Sequence, residues 1–332
     1  MDQFQYLFQI SRGFWQSSLL HTAVRLNIFT ELSAKPLTAI ELASRINADK
    51  RATELLLNAL VGMDLLKKEG NMYFNTSLSK KFLVEDSPLY LGFIIKHIAN
   101  MYSYWGRLEE AIKNGRPLRS PIRNPEEMEN FILGMHNLAQ NIAPILIKNI
   151  NLEGIKNLLD LGGGSGTYSI HFCKAYPNLK VTLCDLPNVL PITERVIKSF
   201  GMSDCIRLVA RDFHKDPLPS PFDVAWLSNI LHGSSPGLCE SLIKKVYNIL
   251  NPKGKIIIQD FILDETKTKP PFASLFALNM LIHTSGGRTY SLSEIKNWLI
   301  GAGFTHIKRL KIRLPNDPLL LWLLEYRSAY KY

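Results

Sequence analysis

Cysteine is scarce in this chain of 332 residues, and none of the four cysteines forms a C-x-x-C pair. Cys173, Cys184, Cys205 and Cys239 also lack histidines at zinc-ligand spacing, so no metal site is expected. Cys173 and Cys184 stand among apolar neighbours and read as ordinary core thiols. Nothing suggests a disulfide framework, which fits a reducing, cytoplasmic setting. No apolar run approaches the ~18 residues of a membrane helix. The longest, Leu319 to Leu324, is far too short, and MDQFQYLFQISRG lacks the basic start, apolar stretch and cleavage site of a secretory leader. Membrane insertion is therefore not expected. A run of five or six basic residues is missing too, despite a formal charge of +10. The densest cluster, Lys308, Arg309, Lys311 and Arg313, alternates with Ile307, Leu310, Ile312 and Leu314 and reads as the solvated face of a strand. A nucleic-acid partner is not expected.

What is present is a globular composition, 46% hydrophobic and 20% charged, long enough for two units. Phe14, Leu19, Leu20, Val24, Leu26 and Phe29 recur at helical spacing. Thr38 with Glu41 three residues on is a capping-box signature. A second helix follows over Ala52 to Leu66, and Leu65–Phe74 reads as strand, Gly70-Asn71 turn, strand. Helix, helix, hairpin is the winged-helix order. Turn residues fill Gly115–Pro125, between helices at about 90–114 and 126–150. From Ile155 onward, short apolar runs at Leu158–Leu161, Val181–Cys184, Ile206–Val209, Val224–Leu227 and Ile256–Ile258 alternate with helical stretches, the pattern of a parallel α/β sheet. Two last strands, about 306–314 and 319–326, are too close for a helical crossover and should form an antiparallel hairpin. The expected domains are 1–100, a helical linker at 101–150, and an α/β domain at 151–332.

Leu158-Leu159-Asp160-Leu161-Gly162-Gly163-Gly164-Ser165-Gly166-Thr167-Tyr168 runs from a strand through bare backbone into a helix. Such a turn lets a ligand approach the main chain. A dinucleotide G-x-G-x-x-G would need glycine where Thr167 stands, which weakens a nicotinamide reading. Asp185 closes the second strand in CDLP, about 20 residues on, where a carboxylate can accept ribose hydroxyls. Asp212 and Phe213 close the third strand, suited to an adenine amino group and ring. His232 comes after the fourth strand in LSNILH. Ligands of open α/β sheets bind at the carboxyl ends of the strands, so these features should share one crevice.

DLGGGSGTYS, CDLP, ARDF, LSNILH and GGRTYSLSEIKNWLIGAGF together resemble the class I S-adenosylmethionine-dependent O-methyltransferases, the acetylserotonin and plant phenolic type. The resemblance covers essentially the whole chain. It implies a Rossmann-like α/β fold, a seven-stranded sheet with its last strand antiparallel, behind a mainly α winged-helix dimerisation domain, and hence a homodimer. It implies S-adenosyl-L-methionine as cofactor, leaving as S-adenosyl-L-homocysteine, and a small-molecule methyl acceptor. By the same resemblance Asp160, Gly162 and Gly164 line the methionine and ribose side, Asp185 with Leu186 the ribose, Asp212 and Phe213 the adenine. Ser228 stands where some relatives carry a lysine near the cofactor. His232 matches the general base and Asp260 its carboxylate partner. Trp105, Met135, His136, Phe276, Asn279, Met280 and His283 fall where the family builds its substrate cavity.

The chemistry suits these residue types. A sulfonium is already a strong methyl donor, so alignment of the acceptor oxygen supplies most of the acceleration. A phenol, with pKa ~10, profits from a base within hydrogen-bond reach, and a neutral histidine can accept its proton. Two departures stand out: His232 is followed by Gly233-Ser234-Ser235 instead of Asp-Trp, and Thr289 replaces a second glutamate found in plant relatives. O-methylation of a small, aromatic or apolar hydroxyl compound is the favoured reading. Carbon methylation on the same fold, a NAD-dependent oxidoreductase and a winged-helix DNA-binding regulator are the rivals. The helix over Arg51–Val61, with one arginine on an otherwise apolar surface, counts against the last.

Overall fold

The computed structural model describes residues 2–118, 124–312 and 321–328, and of 307–312 and 321–328 only the backbone. The chain groups into two compact units, one holding the residues up to Tyr102 with Glu129–Asn137, the other the remainder.

The first unit begins with α1 (Gln3–Arg25), α2 (Ile28–Glu31) and β1 (Leu37–Thr38). Next come α3 (Ala39–Arg45), α4 (Lys50–Gly62), β2 (Leu66–Glu69), β3 (Met72–Asn75), α5 (Ser77–Phe82) and α6 (Gly92–Trp105). Thr38 starts α3 through the expected capping box: its hydroxyl accepts from Glu41 N–H at 3.2 Å while Thr38 N–H donates to Glu41 at 2.7 Å. Gly70 turns the β2–β3 hairpin at φ 56, a left-handed geometry that glycine adopts without strain. The sheet has the order β1-β3-β2. Ile28, Phe29, Leu42, Leu57, Leu60 and Tyr73 are its buried centre. On α4, Thr53, Leu57 and Leu60 face that core, whereas Arg51, Glu54 and Leu55 are exposed. Asn58 on this helix is tied to the hairpin, accepting from Tyr73 at 2.8 Å and Lys68 at 3.0 Å. On α1, Phe4, Leu7, Ile10, Phe14 and Trp15 are all exposed, although Val24 at its end is buried.

After α7 (Leu108–Asn114) and α8 (Pro125–Lys148) the α/β rhythm begins. It runs β4 (Asn157–Leu161), α9 (Thr167–Ala175), β5 (Lys180–Asp185), α10 (Leu190–Ser199), β6 (Ile206–Ala210), β7 (Phe222–Ser228), α11 (Pro236–Ile249) and β8 (Leu250–Asp260). There follow β9 (Ile262–Leu263), α12 (Pro271–His283), β10 (Tyr290–Ser291), α13 (Leu292–Ala302), β11 (Phe304–Ile312) and β12 (Leu321–Ser328). The main sheet has seven strands in the order β11-β12-β8-β7-β4-β5-β6. Strands β4, β5, β6, β7 and β8 are mutually parallel and β12 is antiparallel to β8, as the sequence implies. The last strand enters between β8 and β11, an order that spacing along the chain does not dictate. The four turn residues at 315–318, and the side chains of the basic cluster at 308–313, lie outside what the structure describes. Continuous apolar runs in β4, β5, β7 and β8 are buried because helices cover both faces. Their centre is Trp226, fully buried, with Tyr168 and Phe172 rings 5.2 and 5.3 Å away.

One expectation is corrected. Cys173 is not a free core thiol but is joined to Cys205 in a disulfide that spans 32 residues. Cys173 sits on α9 and Cys205 just before β6, and the parallel β5–β6 pairing brings them together. Cys184 and Cys239 remain free and buried. A thiol titration of the unreduced chain under denaturing conditions should therefore count two thiols, Cys184 and Cys239. A count of four would show the bridge to be absent.

Candidate active site

The parallel strands end together. The backbone continues the sheet pairing past their tips: Gly162 N–H donates to Cys184 O at 2.8 Å, Arg211 N–H to Asp185 O at 2.9 Å, and Asn229 N–H to Gln259 O at 2.8 Å. The glycine loop leaves β4 at this rim. Gly162, Gly164 and Gly166 have φ of 68, 54 and 77, which a side chain would strain. A Cβ on Gly163 would come within 2.5 Å of Leu183. Nothing lies within 4 Å of the corresponding position on Gly164, so bare main chain there faces open space.

Asp185, at the tip of β5, is 8% exposed and holds the loop. Its Oδ2 accepts from Gly164 N–H at 2.8 Å and its Oδ1 from Leu186 N–H at 2.7 Å. Burial nevertheless raises its pKa above the ordinary carboxylate value. Asp160 lies beneath, 1% exposed, accepting from Ser169 Oγ at 2.5 Å. Burial pushes it up to about 7, and the nearby Asp185 adds to the shift.

Asp212 and Phe213 stand after β6. Asp212 is half-buried, paired with Lys215 at 3.1 Å and accepting His214 N–H at 3.1 Å. Its burial opposes ionisation, but these donors prevail and hold its pKa below the ordinary value. A Cβ on Gly162 would sit 3.5 Å from the Phe213 ring, so the ring flanks the loop. Ser228, at the tip of β7, donates to Gln259 Oε1 at 3.0 Å.

His232 sits on a single 3₁₀ turn, Leu231–Gly233, after β7. Its Nδ1 is 2.6 Å from Asp260 Oδ1, with the two side chains 12% and 4% exposed. His232 N–H also reaches Asp260 Oδ2, at 3.3 Å, and Phe261 N–H donates to Oδ1 at 2.8 Å. The adjacent pairing of β7 and β8 makes this meeting possible. Phe276 meets the imidazole edge to face at 4.9 Å, and Phe261 is tilted at 5.8 Å. Gly287 in the GGRTY segment is close-packed: a Cβ there would fall 2.4 Å from His232 O. Thr289 makes no substitute for a second acid. It is buried and donates to Ala273 O at 3.0 Å.

Of the residues expected at the acceptor pocket, Trp105 Nε1 donates to Asn279 Oδ1 at 3.1 Å, and His283 Nδ1 lies 2.8 Å from Asn279 O. Met280 is buried on the same helix, α12. Met135 and His136 are half-buried on α8, within the segment that groups with the first unit. Several neighbours escaped the sequence reading. Phe261 and Phe272 join the expected Phe276 in one ring cluster; the i, i+4 spacing of Phe272 and Phe276 on α12 was its visible signal. Lys245, His214 and Ser234, which brace the rim, carried none.

A doubly wound sheet with a reversed strand beside β8, a glycine loop after β4 and acidic strand ends are the features that the resemblance to class I S-adenosylmethionine-dependent methyltransferases implies. Comparison with known proteins narrows this. Residues 111–305 match the model of the O-methyltransferase domain and residues 8–85 that of the O-methyltransferase dimerisation domain. The chain is similar to 3-hydroxy-5-methyl-1-naphthoate 3-O-methyltransferase of Streptomyces sahachiroi, 31% identical across 93% of this chain and 92% of that protein. Among solved structures, PigF with SAH superposes with a TM-score of 0.90 at 26% identity over 99% of this chain and 100% of that one. Human N-acetylserotonin methyltransferase in complex with SAM gives 0.87 at 26% identity, covering 99% of both. The chain belongs to the O-methyltransferase family, which sets aside the oxidoreductase and DNA-regulator readings.

The buried Asp160 carries a pH signature. Its folded pKa lies above the unfolded value of 3.8, so between about pH 4 and about 7 the folded state keeps a proton that the unfolded chain releases. Its contribution to stability therefore falls as pH rises through that window. Asp160→Asn keeps an acceptor for Ser169 and removes the titration. The variant's melting temperature should gain on the parent's, by several degrees, as pH is raised from 4 to 8. Parallel curves would contradict the assignment.

Proposed function

We propose that His232 is the general base of this O-methyltransferase, that Asp260 orients it, and that the acceptor is a small aromatic or apolar hydroxyl compound. The observation that carries this reading is the 2.6 Å contact between His232 Nδ1 and Asp260 Oδ1, set under aromatic rings. Asp260 Oδ1 already accepts one backbone N–H, and a carboxylate offers only acceptors. Nδ1 must then carry the proton, leaving the Nε2 lone pair free for the acceptor's O–H. As the imidazole takes that proton, the carboxylate stabilises the imidazolium. Phe261, Phe272 and Phe276 offer ring faces and edges to a flat acceptor, and Trp105 fixes the Asn279 amide. The named action of the Streptomyces relative on a hydroxynaphthoate supports an aromatic acceptor. In this reading Met280 and His283 complete the acceptor cavity.

The residues at the rim fit the cofactor. When bound, S-adenosyl-L-methionine supplies a methyl group on a sulfonium. Asp185 uses two of about four acceptor sites on backbone N–H groups, so two remain for ribose hydroxyls. The open main chain at Gly164, above Asp160, suits the ribose and methionine side, with Gly162, Leu186 and Ser228 beside it. Asp212 suits the adenine amino group and Phe213 its ring.

The first unit, in this reading, pairs two copies of the chain. Its match to the dimerisation domain and the exposed apolar side chains of α1 support a homodimer. Among the described residues no helix is long and apolar enough to cross a membrane.

His232→Ala should lower kcat by about 10²-fold or more while leaving the affinity for S-adenosyl-L-homocysteine within about twofold. Unchanged turnover would remove His232 from the role of base. Asp260→Asn, which permits the wrong tautomer, should cost at least about 10-fold in kcat. Full activity in that variant would show that the orienting bond is dispensable.

A further inference from the structure

The loop after β6, which carries Asp212 and Phe213, and the turn that carries His232 are joined side chain to side chain. His214 Nε2 lies 2.8 Å from Ser234 Oγ. His214 is tied on its other sides as well. Its N–H donates to Asp212 Oδ1 at 3.1 Å, its carbonyl accepts from Lys245 Nζ at 2.7 Å, and its ring lies 4.7 Å from that of Phe213. Lys245, on α11, also donates to Phe213 O at 3.2 Å and Asp216 O at 3.3 Å. One ammonium thus gathers three carbonyls of this loop.

Ser234, 7% exposed, is held just as closely. Its N–H donates to Leu231 O at 3.0 Å, closing the turn on which His232 stands. Its carbonyl accepts from the buried Tyr290 hydroxyl at 2.5 Å. The backbone of Ser234 is therefore fixed to the His232 turn and to the GGRTY segment. Its hydroxyl is the part that reaches the other loop.

We propose that His214 is a positioning residue that, through Ser234, locks the adenine side of the site to the turn bearing the base. The inference rests on the cofactor placement and on His232 as base, given above. Neither loop can shift alone: moving Asp212 drags the His214 main chain, and moving the His232 turn drags Ser234. A hydrogen bond between two such tethered groups is worth a few-fold in each property it holds.

The test is a double-mutant cycle on the full-length enzyme, reading Kd for S-adenosyl-L-homocysteine by calorimetry and kcat with a fixed phenolic acceptor that the parent methylates. Ser234→Ala and His214→Ala should each weaken cofactor binding about 3- to 10-fold and lower kcat by a similar factor. The double variant should be no worse than the poorer single one. His214→Gln, which keeps a polar group near the Nε2 position, should recover most of both losses, and it stands in if the alanine variant does not fold. Losses that multiply in the double variant, a Gln variant as poor as the Ala variant, or an effect on Kd alone would overturn the coupling. If the parent itself fails to bind S-adenosyl-L-homocysteine, the cofactor reading fails first. If the parent binds and turns over and the single variants match it, only the link is lost.

Discussion

The structure turns on one short contact, the 2.6 Å pairing of His232 Nδ1 with Asp260 Oδ1 in a nearly dry setting. It can exist only because β7 and β8 lie side by side and parallel, so that the turn leaving the tip of β7 meets the end of β8. Asp260 is the last residue of β8 and already serves the N–H groups of His232 and Phe261. Two backbone N–H groups and, in the proposed tautomer, the imidazole Nδ1–H converge on one carboxylate, which as an anion can only accept. The orientation of the imidazole comes from that constraint and not from the imidazole itself. Without a second acid, since Thr289 is turned to Ala273, aromatic packing by Phe276 and Phe261 completes the setting of the ring.

The same logic of strand ends builds the cofactor side. Parallel strands put their carboxyl ends on one rim, and the chain must leave each by a turn whose main-chain groups need partners. Asp185 answers that need for the glycine loop by accepting from Gly164. Asp212 does so for the turn after β6 by accepting from His214. These acids serve the fold first, and the donors that they already hold set how much accepting capacity each has left. Lys245 performs the opposite task, supplying donors to carbonyls that the turn leaves exposed.

Much of this was legible in the residues because it is local. The capping box at Thr38, the hairpin around Gly70, the five apolar strands and the glycine loop each depend on neighbours a few positions away. The position of His232 relative to the fourth strand came from the motif and not from periodicity. The parts that were missed depend on sheet order. Cys173 reads as a core thiol until β5 and β6 are paired, which brings Cys205 to it. His214 and Ser234 are 20 residues apart, in two loops that nothing in the sequence links. The bond from Trp105 to Asn279 spans 174 residues, so no local pattern in the sequence links the two.

The central claim, that Asp260 holds the proton on His232 Nδ1 and leaves Nε2 as acceptor, is tested most directly by nitrogen NMR. The protein would be labelled at histidine and compared with its His232→Gln form to assign the resonance. At a pH where the ring is neutral, the account requires a protonated Nδ1 signal and a bare Nε2 signal for His232. A proton found on Nε2 instead would mean that the ring cannot take one from a hydroxyl, and the account would be wrong.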